Sequence, residues 1–265
     1  MTPKSGSDSA PRLSPTSTFP NLRRVVSEFS QFRALSFDCY GTLIDWESGM
    51  SLALREWANG VDLDVSDGHL LRLVSEIETI VQGERSPALL YPEVLAEVLR
   101  RIGASLNARV TDDDAVRFGQ TVGDWPAFPD SALALARLGD HFRLIIVSNV
   151  DRASFAASNR RLGVTFDKII TAEDVGAYKP RAPHFEALFG SLSEMGLDRE
   201  DLLHVAQSLF HDHEPAQRYG LPSVWIDRGR DRTHSGATPA TGSIIEPRWR
   251  FATLEAFADA VESQA

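Results

Sequence analysis

Along this chain, short unbroken apolar runs alternate with stretches in which apolar residues recur every three or four positions. Ala34–Phe37, Arg143–Val147, Lys168–Ile170, Leu202–Ala206 and Ser223–Ile226 read as buried strands. Asp151–Leu162, a stretch from beyond Pro180 through about Met195, and a short segment from Asp212 to Tyr219 read as helices. Leu254, Phe257, Ala258 and Val261 mark a last helix packing on the core. Strands alternating with helices predict an α/β fold, a Rossmann-like doubly wound parallel sheet with helices on both faces.

Between the first and second strands only the helical period appears. Asp45-Trp46-Glu47-Ser48 opens a helical stretch containing Leu52, Leu54 and Trp57. From Ser66 to about Gln82, Leu70, Leu71, Val74, Ile77, Ile80 and Val81 recur at helical spacing. Pro92 stands in the first turn of another helix, and Asp112 to Val122 forms a further one. Residues 46–125 are therefore predicted to form a helical cap inserted into a core made of 31–45 and 126–265. Pro126 and Pro129 mark its exit, because neither continues a helix. Residues 1–30, rich in Ser, Thr and Pro, read as a disordered tail, and 228–246, including Arg228 to Arg232, as a solvated loop.

Composition narrows the function. A formal charge of -10 argues against nucleic acid or an anionic membrane surface as the main partner. One cysteine excludes an internal disulfide framework and a cysteine-based metal site, and fits a reducing, cytoplasmic setting. No apolar run approaches the length of a membrane span. His204, His211 and His213 match no zinc spacing, so neither metal nor cofactor is expected from them.

The candidate chemistry collects at strand ends. Asp38 closes the first strand, with Gly41-Thr42 turning the chain away, and alternation puts Tyr40 on its side and Cys39 on the other. Ser148 and Asn149 end the second strand, Lys179 follows the third, and Ser208 and Asp212 follow the fourth. In an open parallel sheet these ends border the ligand crevice. A nucleophilic carboxylate there needs hydroxyl and amide donors to orient it and a lysine to hold it ionised, and Asp212 would position or deprotonate water.

Asp38-x-Tyr40-Gly41-Thr42, Ser148-Asn149, Tyr178-Lys179-Pro180 and Asp212 resemble the four motifs of the haloacid dehalogenase superfamily. Phosphatases of that superfamily usually carry a second aspartate where Tyr40 stands, and Tyr40 resembles the type II 2-haloacid dehalogenases instead. The chemistry agrees, since halide leaves without a proton whereas an alkoxide needs one. The resemblance implies a metal-independent hydrolase for short 2-haloalkanoic acids, a small-molecule anionic substrate, no cofactor and often a homodimer. It makes Asp38 the nucleophile that forms an aspartyl ester, with Lys179 and Asp212 assisting its hydrolysis and Thr42 and Ser148 holding the carboxylates. Tyr40, Asn149, Ser208, Trp46 and Arg72 would contact substrate, with Arg72 or Arg85 as the halide-receiving arginine. The segment before the last aspartate departs from the type II pattern, with Gln207 for a serine and Leu209 for an asparagine. Phe185 stands where those enzymes carry an aromatic hydroxyl. Two alternatives stay open: a phosphatase of the same superfamily using Mg²⁺ on a small phosphate ester, and a catalytically weak binding protein.

Overall fold

The computed structural model describes residues 28–84, 88–229 and 245–263. The predicted tail (up to residue 27), Arg85 and most of the predicted 228–246 loop lie outside them.

Six parallel strands form one sheet: β1 (Ala34–Phe37), β2 (Arg143–Ser148), β3 (Lys168–Thr171), β4 (Leu202–Ala206), β5 (Ser223–Ile226) and β6 (Trp249–Phe251). Their spatial order is β3-β2-β1-β4-β5-β6, so β1 is central, with Phe37 paired to Ile146 on one side and Val205 on the other. The chain winds outward from β1 in both directions, which places the ends of β1, β2 and β4 around one crevice.

Period-two alternation divides the core in two. Leu35, Phe37, Leu144, Ile146 and Val205 face a cluster that includes Leu135, Phe155 and Phe257. These last three come from α5 (Ser131–Gly139), α6 (Arg152–Leu162) and α10 (Leu254–Glu262), which follow α1 to α4 in chain order. Ala34, Ile145, Val147 and Leu202 face the other side, against Phe185, Leu188 and Phe189. α7 (Ala172–Val175) leads into α8 (Pro183–Glu194), which carries those three, and α9 (Glu214–Arg218) adds Ala216 to the same side.

Between β1 and β2 stand α1 (Trp46–Gly60), α2 (Asp67–Gly83), α3 (Tyr91–Ser105) and α4 (Asp112–Gly119), then a 3₁₀ turn over Gln120–Asp124. Side-chain caps start three of them: Asp45 accepts from the Ser48 amide, Ser66 from His69 and Thr111 from Asp114. Paired β-bridges, Tyr40 to Ile44 and Ile44 to Ala127, join the two crossings between helical block and sheet.

Sequence expectation and structure differ in several places. Leu52, one of the apolar residues that placed α1, is 73% exposed. Helix α5 and strand β6 carry no signal strong enough to have been predicted. The core begins before residue 31, because Phe29 is 1% exposed and packs on Trp249 and Phe257 with ring centroids 5.2 and 5.4 Å away. Arg228 is not a solvated loop residue: its side chain is buried and its guanidinium bonds the Thr42 carbonyl and both Asp130 carboxylate oxygens. No helix among the described residues is long and apolar enough to cross a membrane.

Candidate active site

The turn after β1 is built to return Thr42 to Asp38. Both the Leu43 and Ile44 amides donate to the Cys39 carbonyl, at 2.7 and 2.9 Å. Gly41 takes φ +97°, a conformation that favours glycine, and a Cβ there would also be crowded, 3.1 Å from Gln207 Oε1 and 3.2 Å from Trp46 Nε1. Thr42 Oγ1 donates to Asp38 Oδ2 at 2.7 Å and accepts the Gln207 amide at 2.9 Å, which links the ends of β1 and β4. Arg228 fixes the same turn from behind through the Thr42 carbonyl, with donors 2.8 and 3.1 Å away.

Lys179 enters from the loop between α7 and α8. Asn149 clamps its backbone, accepting the Lys179 amide at 2.7 Å and donating to the Lys179 carbonyl at 3.2 Å. The ammonium is then fully used: Nζ donates to Asp38 Oδ1 at 2.9 Å, Asp212 Oδ1 at 2.7 Å and the Val147 carbonyl at 2.8 Å. Lys179, Asp38 and Asp212 are all buried. A second set of bonds holds Asp212 from behind. His204 Nε2 lies 3.2 Å from Asp212 Oδ1, and Ser36 Oγ lies 2.8 Å from His204 Nδ1, so Ser36 as donor leaves the Nε2 proton for the carboxylate. Asp212 Oδ2 has no hydrogen-bond partner among the described residues.

Two buried carboxylates sharing one ammonium are driven apart in acidity. For Asp38, burial pushes the carboxyl up and the Asp212 charge adds to it, while Lys179 and Thr42 pull down without cancelling the rise. For Asp212, burial also pushes up, but Lys179 and the His204 hydrogen bond outweigh it and hold the group well below the usual carboxylate range. Burial pushes Lys179 down, yet the two aspartates more than restore it, leaving the ammonium above its ordinary value. Asp212 is thus the firmly ionised partner, and Asp38 the one whose charge depends on its surroundings. Burial raises the Tyr40 phenol far above its usual value, so it stays protonated. Burial also lowers His211 to about 4 and His184 to about 3, so both rings are neutral at pH 7.

A cavity of about 90 Å³ opens over these groups, room for several waters or one short organic acid. Asp38, Lys179 and Asp212 form its floor, with Tyr40, Trp46, Asn149, Gln207, Ser208 and His211 around them. Ser75, Glu78, Thr79 and Gln82 of α2 and Tyr91 of α3 form the opposite wall.

The structure therefore brings together Asp38, Thr42, Lys179 and Asp212, and places Tyr40, Trp46, Asn149 and Ser208 on the cavity. Ser148 does not hold a carboxylate: it is buried outside the cavity lining, its Oγ has no partner among the described residues, and its carbonyl lies 3.2 Å from His184 Nε2. Its strand position turns the hydroxyl aside and leaves Asn149 to face the ligand space. Arg72 does not reach the cavity either; it is exposed, with Nη2 3.3 Å from His69 Nδ1. Tyr40 spends its hydroxyl on Ser158 Oγ at 2.8 Å, with its ring edge-on to Trp125. Sequence reasoning missed Glu78, Tyr91, Gln207 and the Ser36–His204 pair. The α2 residues carried a readable signal, since Ser75, Glu78, Thr79 and Gln82 recur at helical spacing just as the apolar residues do. His204 carried none beyond being a polar residue inside a buried strand.

The chain resembles known proteins along most of its length. A family model described as haloacid dehalogenase-like hydrolase matches residues 32–210. An (S)-2-haloacid dehalogenase of Pseudomonas sp. (strain YL) is 26% identical over 244 residues, covering 88% of this chain and 96% of that protein. The structure of an L-2-haloacid dehalogenase from Xanthobacter autotrophicus with chloropropionic acid covalently bound superposes with a TM-score of 0.71 at 18% identity, over 88% of this chain and all (100%) of that one. A HAD-hydrolase of Bacillus subtilis bound to magnesium gives a TM-score of 0.66 at 20% identity, over 88% and 99% of the two chains. At such identities the two structures speak for the fold.

Proposed function

Since this chain belongs to the haloacid dehalogenase-like hydrolases, we propose that it hydrolyses the carbon–halogen bond of small 2-haloacids through an ester formed on Asp38. The observation that carries this reading is the Lys179 ammonium set between the Asp38 and Asp212 carboxylates at 2.9 and 2.7 Å, at the floor of a cavity sized for a short acid. The Pseudomonas relative acts, by its name, on (S)-2-haloacids.

In this reading an Asp38 oxygen attacks the halogen-bearing carbon. A C–O bond forms, the C–X bond breaks, and halide leaves with the bonding pair. Lys179 and Thr42 hold the carboxylate in place and keep it charged for attack. Water then adds to the Asp38 carboxyl carbon. Asp212, ionised and lining the cavity, accepts the water proton, and collapse of the tetrahedral carbon returns the Asp38 carboxylate and a 2-hydroxyacid. One halide and one proton are released per turnover.

Metal-independent chemistry fits this floor better than the Mg²⁺ route. A magnesium ion needs several oxygen ligands in octahedral array. Here the position between the two carboxylates is taken by Lys179 Nζ, and Thr42 holds the other oxygen of Asp38. Tyr40 also supplies no acid for an alkoxide leaving group, being held protonated by burial and tied to Ser158. Halide release from 2-chloropropionate and chloroacetate, measured with and without EDTA beside phosphate release with Mg²⁺, tests the reading. EDTA-insensitive halide release is expected; phosphate release alone would overturn it.

A further inference from the structure

The cap-side wall of the cavity is a stripe of α2 with Tyr91 of α3 beside it. Ser75, Glu78, Thr79 and Gln82 stand at i, i+3, i+4 and i+7 on one face, and all four line the cavity. The buried apolar residues of that helix, Leu70, Val74 and Val81, pack elsewhere into the core. The stripe is braced internally. Gln82 Nε2 donates to Glu78 Oε1 at 2.7 Å, and Thr79 Oγ1 donates to the Ser75 carbonyl at 3.0 Å. Burial raises the Glu78 carboxyl to about 7, so near neutral pH it offers both a donor and an acceptor.

This wall is a poor match for a bare alkyl chain. Laying methylenes on it would strip water from hydroxyl, amide and carboxyl groups without replacing the lost hydrogen bonds, which is costly, whereas a substrate carrying a matching polar group avoids that loss. A second anionic group is disfavoured as well, because Glu78 and the aspartates would face it. Resting on the dehalogenase reading, we propose that the preferred substrates are 2-haloacids bearing a neutral hydrogen-bonding group, a hydroxyl or an amide, on the chain beyond the halogenated carbon. Glu78 and the α2 stripe recognise that group.

The test compares two acids of nearly equal shape, 2-chloro-3-hydroxypropanoate and 2-chlorobutanoate, by chloride release in the wild type, Glu78→Leu and Thr79→Val. In parallel, calorimetry follows binding of the halogen-free pair, 3-hydroxypropanoate and butanoate, to the same proteins. The wild type is expected to favour the hydroxylated chloroacid by about tenfold or more in kcat/KM, as sites built around a hydrogen bond do. Glu78→Leu should abolish or invert that preference, and the more conservative Thr79→Val should weaken it. Chloride release with no preference, or a preference unchanged in both variants, overturns the inference and leaves dehalogenation standing. Selective binding of the hydroxyacid without chloride release from either chloroacid keeps the α2 recognition and overturns dehalogenation. Neither release nor selective binding overturns both.

Discussion

Replacing Lys179 with Met is the perturbation for which the structure makes the sharpest demand. The substitution keeps an unbranched side chain one atom shorter and removes an ammonium that serves two buried carboxylates and the Val147 carbonyl. Deleting one partner of a buried ion pair costs about 3–5 kcal/mol, because the remaining charge stays buried without compensation. In a chain of this size each kcal/mol moves the melting midpoint by about 2–4 °C, so a fall on the order of 10 °C is expected at pH 8. Asp38 and Asp212 both lose what draws them down, so both shift upward in the folded state. A carboxyl raised above its unfolded value destabilises once pH exceeds the unfolded value, and that penalty disappears as pH falls. The gap between wild type and variant should therefore narrow from pH 8 to pH 5. Adding Asp212→Asn should recover at least half of the loss by removing one of the two stranded charges, while halide release stays abolished in both variants. Differential scanning calorimetry of the three proteins at both pH values makes the measurement. A Lys179→Met protein that melts within about 1 °C of wild type, or a double variant less stable than the single one, would refute the electrostatic account of the site.

Three further outcomes are expected. His204→Phe removes the hydrogen bond that helps hold Asp212 below its ordinary range, so the acid limb of the kcat–pH profile should move upward with KM nearly unchanged; an unmoved limb would leave His204 a packing residue. Glu78 is raised from 4.5 to about 7, so the penalty of its ionisation grows as pH rises from 4.5 to about 7 and is full above that, and Glu78→Gln should raise the melting midpoint more at pH 8 than at pH 5. Equal displacement at both pH values would contradict the burial of that carboxyl. Phe29→Ala, in the segment before β1, should cost about 3–5 kcal/mol by leaving a void between Trp249 and Phe257, and a midpoint shift below about 2 °C would show that this segment does not close the core.

What could be read from the sequence follows from which constraints are local. Strands buried on both faces are continuous apolar runs, so β1 to β5 stood out, and the polar residues ending them marked the crevice. β6, three residues at the sheet edge with an exposed centre, has no such run. α5 opens directly after a proline-rich exit and is short, so its apolar spacing was hidden by the turn before it. Asp38, Thr42, Lys179 and Asp212 were legible because each belongs to a motif with its own turn chemistry. Ser148 illustrates the opposite case: its position in the motif was visible, but which way a strand-end hydroxyl points depends on twist and on its neighbours. Arg72 failed for a related reason, since helical spacing places it one turn from the cavity stripe without saying where a long flexible side chain will lie. Arg228 could not be distinguished from its basic neighbours in the sequence until Thr42 and Asp130, far away along the chain, came to meet it.

The central claim is an ester on Asp38, and oxygen tracing tests it most directly. With the enzyme in excess over 2-chloropropionate in H₂¹⁸O, a single turnover sends water to the Asp38 carboxyl carbon, so the product hydroxyl carries an ordinary oxygen from the protein. The peptide containing Asp38 should then gain the mass of one ¹⁸O, and Asp38→Asn should release no chloride. Label found in the hydroxyacid, with Asp38 unlabelled, would mean that water attacks the substrate carbon directly and that Asp38 is not the nucleophile.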